Sequence, residues 1–265
     1  MSRRRLGQHF LTDLATIHRI VDAAALSSND HVFEIGPGRG AITHPLTREA
    51  ARVTSLELDP TLAENLSANA PPNLSVVEGD ALTSDFGPLQ STTDRSACVL
   101  VANLPYRITG ALLERILEAG CWDRAILMVQ REVGQRLAAD VGSKDYGILT
   151  VAANLRSEVE YLFSVPGDCF DPPPKVVSSV VRLRFTEAKS TVEDELLFFR
   201  VVRAVFQQRR KMLRNSLSGI FGPSVEAVLA EAELDPTIRP ESVSVSGFER
   251  MCRAYASRSE SIGVE

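Results

Sequence analysis

Short apolar runs rich in β-branched residues alternate with longer helical patterns through the first two thirds of the chain. This alternation constrains the fold most, because it is typical of βαβ units, in which parallel strands form a sheet covered by helices. Sheets of this kind bind ligands beyond the carboxyl ends of their strands. The predicted strands are residues 31–35, 52–57, 74–78, 97–102, 124–129, 148–154 and 176–185.

Helical patterns fill the intervals between these strands and dominate the chain after a proline-rich segment at 164–174. In the C-terminal part, Phe198, Val202 and Val205 recur at helical spacing. We therefore expect an α/β fold with a mostly parallel, Rossmann-like sheet in residues 1–188, and a small α-helical domain in residues 189–265. The helices predicted between the strands are residues 14–25, 41–50, 60–70, 110–119 and 131–140.

The composition narrows the classes of function. The chain has 265 residues, of which 44% are hydrophobic, enough for a large domain with a small addition. No apolar run approaches the ~18 residues that cross a bilayer, and Arg3–Arg5 is not followed by the apolar core of a secretory signal. The four cysteines lie far apart, which predicts neither disulfides nor a metal site and favours a reducing compartment.

A glycine-rich turn follows the first predicted strand, with Gly36, Gly38 and Gly40 at alternate positions. Glycines there let the backbone bend sharply and approach a ligand closely. The spacing differs from the Gly-x-Gly-x-x-Gly of dinucleotide folds, and Glu34 would repel a pyrophosphate. A carboxylate there suits a cationic ligand such as the sulfonium and ammonium of S-adenosylmethionine. The alternative is a glycine-rich turn of some other α/β protein.

Two further carboxylates end the next two predicted strands. Glu57 lies where doubly wound folds bind a ribose diol, whereas its neighbour Asp59, which precedes Pro60, is better explained as a helix N-cap. Asp80 can accept a hydrogen bond from the adenine amine of a nucleoside, although by itself it could be a surface turn residue. Because these groups end successive strands, we expect one shared ligand.

The sequence Asn103-Leu104-Pro105-Tyr106 follows the strand at 97–102 and resembles the motif of methyltransferases that act on amino groups of nucleobases. The N6 amine of adenine is a poor nucleophile, since its lone pair is delocalised into the ring. The Asn103 side-chain oxygen and the Leu104 carbonyl can accept its two N–H bonds, and Pro105 stiffens the turn. Tyr106 can stack on an extruded base. An ordinary strand-ending turn is the alternative.

Several motifs together resemble the ribosomal RNA adenine dimethyltransferases, and most of all their KsgA branch, which modifies two adjacent adenines of small-subunit (16S) rRNA. The resemblance covers nearly the whole chain in order. The motifs that carry it are residues 6–11 (LGQHFL), 34–40 (EIGPGRG), 103–106 (NLPY), 170–176 (FDPPPKV) and 208–217 (QRRKMLRNSL).

This resemblance implies a class I methyltransferase sheet of seven strands and contacts to S-adenosylmethionine from His9, Leu11, Gly36, Glu57, Asp80 and Asn103, beside Glu34 and Gly38 of the glycine loop. It makes Phe170 a second stacking wall opposite Tyr106, unless Phe170 is a core aromatic. Lys175 could touch an RNA phosphate or be solvated. The resemblance also implies a cytoplasmic protein that acts in ribosome biogenesis on a pre-30S particle; a monomer without membrane or metal is our expectation.

A basic segment without acids runs from residue 199 to 218. The spacing of Arg203, Gln207, Arg210 and Arg214 predicts one face of a continuous helix. We expect this face to bind RNA phosphates, despite a net charge of −5, although a solvated helix surface would have the same pattern. The predicted RNA-binding residues are Lys175, Arg203, Arg209, Arg210, Lys211 and Arg214.

Four other functions stay open from the sequence. An Erm-type methyltransferase would act on large-subunit rRNA, and a DNA adenine methyltransferase would use the same catalytic turn. A ribosome-assembly factor could keep the fold and bind RNA without catalysis, although Glu57, Asp80, Asn103 and Tyr106 argue against lost activity. A nucleotide-dependent dehydrogenase is disfavoured by the glycine spacing.

Overall fold

The computed structural model describes residues 8–89, 97–185 and 192–262, and the side chains of 88–89 and 259–262 are left out of the description. The chain forms two compact units. The first comprises Met1–Gly134 and Glu158–Thr186, and the second comprises Gln135–Ser157 and Glu187–Glu265. Residues 135–157 thus group with the C-terminal helices, whereas the sequence suggested one continuous first domain up to residue 188. That predicted boundary, like Arg3–Arg5, lies outside the described residues.

The helices and strands have the following bounds in chain order. They are β1 (Phe10–Leu11), α1 (Leu14–Ala24), β2 (His31–Ile35), α2 (Thr43–Glu49), β3 (Arg52–Glu57), α3 (Pro60–Ala68), β4 (Leu74–Glu78), α4 (Phe86–Leu89), β5 (Cys98–Asn103), α5 (Thr109–Ala119), β6 (Arg124–Gln130), α6 (Arg131–Leu137), α7 (Ile148–Arg156), β7 (Ser157–Val165), β8 (Phe170–Asp171), β9 (Ser178–Phe185), α8 (Glu195–Gln207), α9 (Leu213–Phe221), α10 (Val225–Glu231) and α11 (Val245–Ile262).

The first unit is built on a seven-stranded sheet in the order β4-β3-β2-β5-β6-β9-β7. The strands β4, β3, β2, β5 and β6 pair in parallel, and β9 joins β6 in antiparallel orientation. All five residues of β2 are buried, as expected for a central strand covered on both faces. This confirms the predicted α/β fold with a mostly parallel sheet of seven strands.

Local signals explain where the helices beside the sheet begin and end. Asp59 accepts hydrogen bonds from the Thr61 and Leu62 amides and precedes Pro60 at the first helical position, which confirms its prediction as the N-cap of α3. Helix α5 ends before Gly120, whose backbone is left-handed with a φ angle of 63°. Glycine takes this conformation without steric cost, so the helix ends there.

Residues 148–154, predicted as a strand, form the helix α7. Its buried side chains Thr150, Val151 and Leu155 follow helical spacing, and Thr150 Oγ1 accepts the Gly147 amide at the helix start. The prediction was wrong because a short apolar run gives the same signal for a strand and for a buried helix. Within the second unit, α7 packs on α8.

The continuous helix predicted through residues 203–214 is also wrong. Helix α8 ends at Gln207, residues 208–212 form a turn, and α9 starts at Leu213. The physical reason is burial, since Leu213, Leu217 and Phe221 join the same core as Phe198 and its neighbours on α8. The turn lets α9 fold back onto that core, and the Leu213 amide bonds to the Ile238 carbonyl at 2.9 Å.

No helix in the described part of the chain has the length and apolar character needed to span a bilayer.

Candidate active site

The carboxyl ends of β2 to β6 meet at one edge of the sheet, and a cavity of about 420 Å³ opens there. Its size lies in the range of small-molecule sites. All predicted cofactor and catalytic residues line it, and they come from the ends of the four strands β2, β3, β4 and β5 and from the segments of β1 and β8. These residues are His9, Leu11, Glu34, Gly36, Gly38, Glu57, Asp80, Asn103, Leu104, Pro105, Tyr106 and Phe170.

The glycine loop lies at the centre of this edge. Gly36 and Gly38 have φ angles of 72° and 58°, a region that other residues rarely adopt. A Cβ atom at position 36 would lie 3.8 Å from the Asn103 carbonyl oxygen, so the loop directly faces the end of β5. At position 38 it would lie 3.1 Å from the Phe10 ring. The loop therefore needs glycine both for its conformation and for close approach.

Glu57 holds the loop in place. Its Oε2 accepts the Gly38 amide at 2.9 Å, and its Oε1 accepts the Asp59 amide at 3.0 Å. The side chain is only 4% exposed. Each carboxylate oxygen can accept a second hydrogen bond, so the two backbone contacts orient Glu57 without using up its capacity for a ligand hydroxyl.

Glu34 is buried beneath the loop. Both Thr43 Oγ1 and Ser55 Oγ donate to its Oε2 at 2.7 Å. Burial raises the pKa of the Glu34 carboxyl to about 7; the two hydroxyl donors oppose that rise, and the nearby Glu57 carboxylate adds to it. A cation entering the cavity would favour the ionised form, because an opposite charge lowers the pKa of a carboxyl.

Asp80 lies in a loop that Arg115 of α5 secures. Asp80 Oδ1 accepts the Leu82 amide at 2.8 Å. Arg115 donates to the Leu82 carbonyl at 2.7 Å and to the Ser84 carbonyl at 2.5 Å. Arg115 was not predicted from the sequence, because a lone arginine in a helix pattern gives no signal of what its side chain contacts.

The catalytic turn follows β5 directly. The Leu104 amide donates to the Met128 carbonyl of β6 at 3.0 Å, and the Leu104 side chain is buried. Thr109 Oγ1 donates to the Pro105 carbonyl at 3.0 Å. These contacts tie both ends of the turn to the sheet and to α5, so that Asn103 is held at the cavity.

The Tyr106 ring is fixed at its hydroxyl end. Its phenol oxygen lies 2.5 Å from Ser178 Oγ, at the first residue of β9, and burial raises the pKa of the Tyr106 phenol. The His9 ring stacks beside it with a centroid separation of 6.2 Å and an angle of 26°. Ser178 was missed from the sequence, since a serine at a strand start carries no distinguishing signal.

The strands β1 and β8 close one side of the cavity. They pair antiparallel, with Leu11 opposite Phe170. Phe170 is 4% exposed and belongs to the hydrophobic core, yet it also lines the cavity. His9 Nδ1 lies 2.6 Å from the Pro172 carbonyl oxygen, so this nitrogen carries the hydrogen.

The predicted RNA-binding residues occupy two places. Lys175 is exposed in the first unit, before β9. In the second unit, Arg203 is on α8, Arg209 to Lys211 are in the turn after it, and Arg214 is the second residue of α9; all except Arg209 are exposed. The Arg209 guanidinium instead donates to the Ser143 carbonyl at 3.0 Å and lies 3.7 Å from Glu241. Arg214 approaches Glu226 at 4.0 Å.

Comparison with known proteins gives the same picture over nearly the whole chain. Residues 1–256 match the family model described as Ribosomal RNA adenine dimethylase. Proteins named Ribosomal RNA small subunit methyltransferase A from Pelotomaculum thermopropionicum and Pseudomonas aeruginosa are 44% and 40% identical to this chain over 271 and 259 residues. Both alignments cover 96% of this chain, and 91% and 95% of those proteins.

Two solved structures are similar as well. A dimethyladenosine transferase from Plasmodium falciparum has a TM-score of 0.79 with 23% identity, covering 95% of this chain and 98% of that one, which supports the fold. The 23S rRNA methyltransferase ErmE has a TM-score of 0.71 with 30% identity, covering 93% and 99%. On the match of residues 1–256 and these identities, the chain belongs to the ribosomal RNA adenine dimethylase family.

Proposed function

We propose that this protein transfers methyl groups from S-adenosylmethionine to the N6 amines of two adjacent adenines in small-subunit (16S) rRNA. The observation that carries the proposal is the Asn103–Tyr106 turn, which is held at the same cavity as the carboxylates that end β2 and β3. Membership of the ribosomal RNA adenine dimethylase family supports the reaction. The small-subunit names of relatives at 36–44% identity support the choice of RNA.

The residues of the cavity fit S-adenosylmethionine, which when bound supplies an electrophilic methyl group on a sulfonium. Gly36 and Gly38 have positive φ angles and let the backbone approach the cofactor closely. We assign Glu57 to the ribose hydroxyls and Asp80 to the adenine amine. Glu34, with Gly36, favours the cationic part of the cofactor. His9 and Leu11 would close the site from β1.

The chain's own part in the reaction is to hold the adenine amine. The Asn103 side-chain oxygen and the Leu104 carbonyl accept its two hydrogens, which returns electron density to N6 and aims its lone pair. Preset acceptors contribute through positioning, because they need no reorganisation during the reaction. Pro105 restricts the turn, and the bonds of Leu104 to Met128 and of Thr109 to Pro105 secure it.

Tyr106 and Phe170 would enclose the extruded base. An enzyme that acts on a base must remove it from its stack, and aromatic walls offset that cost by stacking. The phenol of Tyr106 is already fixed by Ser178, so its ring loses little freedom when the base enters. N6 becomes cationic on methylation and then releases its proton, so the turn itself requires no strong base.

The exposed cations of the second unit are proposed to bind the RNA backbone. Arg203, Arg210, Lys211 and Arg214 remain on one basic segment, although a turn rather than a single helix presents them. Arg209 has internal partners and serves the fold in addition to any RNA contact. We infer that the protein acts as a monomer in the cytoplasm, on a pre-30S particle.

The experiment that tests the function uses labelled S-adenosylmethionine with undermethylated small subunits, and with large subunits and duplex DNA in parallel. Nuclease digestion and mass spectrometry then identify the product. We expect dimethyladenosine from small subunits alone, and its loss in Asn103→Ala. Label in large subunits would instead assign the Erm-type reaction. Absence of transfer despite binding of cofactor and RNA would favour a non-catalytic assembly factor.

A further inference from the structure

Three cations lie on chain segments next to Tyr106, and only Lys175 among them was a predicted RNA contact. Arg107 follows Tyr106 directly, is exposed and lines the cavity. Arg131 is exposed at the first position of α6, and Lys175 is exposed in the loop before β9. We call these three residues the basic rim.

Hydrogen bonds bring together the chain segments that carry the rim residues. The Arg131 amide donates to the Val177 carbonyl at 2.9 Å, and the Tyr106 phenol bonds to the next residue, Ser178. Lys175 is two residues before Val177. The sheet explains the convergence: β6 runs parallel to β5 and antiparallel to β9, so Gln130 pairs with Ser178 and all three segments meet at one edge.

The charge of the rim is not neutralised locally. Among the ion pairs formed by the described residues, none includes Arg107, Arg131 or Lys175. The contrast is Arg39, also at the cavity, which stacks on Phe10 at 4.2 Å and pairs with Asp171 at 3.4 Å. Exposed cations on adjoining segments that form no ion pair favour an anion, although exposed Glu132 is the chain neighbour of Arg131.

We propose that the basic rim binds the phosphates that flank the target adenosine. The inference rests on the proposed function, since a base drawn out of its stack to Tyr106 brings its own backbone phosphates to the mouth of the cavity. Arg107 would contact the phosphate nearest the base, and Arg131 and Lys175 the adjoining ones. The rim thereby positions the nucleotide, while the Asn103 turn holds only its amine.

The test measures RNA binding rather than turnover. A fluorescein-labelled RNA hairpin with two adjacent adenines in its loop is titrated by anisotropy from 50 to 200 mM KCl. Each phosphate contact to unpaired RNA contributes about 0.7 to the slope of log affinity against log salt concentration. Near 0.1 M salt, the same contact strengthens binding about fivefold. We expect Arg107→Gln and Arg131→Gln each to lower the slope and affinity by about these amounts.

Three controls keep the result specific. Arg48→Gln removes an exposed cation of the same unit on α2, away from the cavity, and should leave the slope unchanged. Arg107→Lys keeps the charge and should restore the slope. Binding of S-adenosylhomocysteine, measured by calorimetry, should be equal in all variants, which verifies their fold.

Unchanged slopes in Arg107→Gln and Arg131→Gln, or an equal loss in Arg48→Gln, would overturn the proposal. Its failure is separable from failure of the proposed function. If wild-type protein methylates small subunits but the slopes do not change, the rim is wrong and the reaction stands. If the slopes change but no methyl transfer occurs, the rim stands as an RNA-binding surface and the proposed reaction fails.

Discussion

The buried carboxyl of Glu34 should make the stability of the first unit depend on pH. Its pKa rises from 4.5 to about 7 in the fold, mainly because burial disfavours the charge. The folded protein therefore binds this proton more tightly than the unfolded chain. The resulting stabilisation is complete below about pH 4.5 and is lost as the pH rises through 7.

The size of the effect follows from the shift. Each tenfold change in proton affinity corresponds to about 1.4 kcal/mol, so the full effect is about 3 kcal/mol, of which about 2 kcal/mol falls between pH 5.5 and 8.5. Glu34→Gln keeps the shape and removes the titration. We expect the unfolding free energy of the variant, relative to wild type, to increase by about 2 kcal/mol over this range.

Urea unfolding followed by tryptophan fluorescence measures this difference in the first unit, which contains Glu34. Trp122 is the only tryptophan of the chain, is buried in the first unit and contacts Phe33, the neighbour of Glu34. Glu78→Gln, an exposed carboxyl at the end of β4, is the matched control. If the unfolding free energies of Glu34→Gln and wild type, plotted against pH, stay parallel from pH 5.5 to 8.5, the reasoning from burial is refuted.

Two further predictions concern contacts that support the site. Gly134→Ala would place its Cβ 2.1 Å from Ser179 Oγ. We expect the free energy of unfolding, measured with urea, to fall by about 1–3 kcal/mol and to be largely restored when Ser179→Ala is added. If the double variant shows no recovery, this contact is not the cause of the loss. Ser178→Ala and Tyr106→Phe should each lower kcat about fivefold with cofactor affinity unchanged. The double variant should be no slower than either single variant in initial-rate assays on undermethylated small subunits; additive losses would show that the two hydroxyls act separately.

The sequence predicted the sheet edge well because strand ends carry their own signals. Glu57, Asp80 and Asn103 each follow an apolar run, and parallel strands bring such positions to one edge whatever their distance in sequence. The cavity therefore collects them as expected. The Asp59 cap was predictable for a similar reason, since its hydrogen bonds reach only three residues along the chain.

What the sequence did not predict depends on contacts between distant segments. Residues 148–154 read equally well as strand or helix, and only burial in the second unit decides for helix α7. The turn at 208–212 exists because Leu213 returns to a core that α8 also uses. Likewise, Ser178 becomes important only through the pairing of β6 with β9, which places it beside a tyrosine 72 residues earlier.

The charges at the sheet edge explain how a chain with a net charge of −5 can act on RNA. Two of its carboxylates, Glu34 and Glu57, lie at the ends of β2 and β3, where they are almost fully buried and line the cavity. The exposed cations of the basic rim lie on chain segments next to Tyr106. At about 0.1 M salt, exposed charges more than about 10 Å apart are largely screened from each other, so the local rim, not the total charge, determines what a phosphate experiences. A cationic cofactor and a polyanionic substrate can thus bind at one edge of one sheet, each beside charges of the opposite sign.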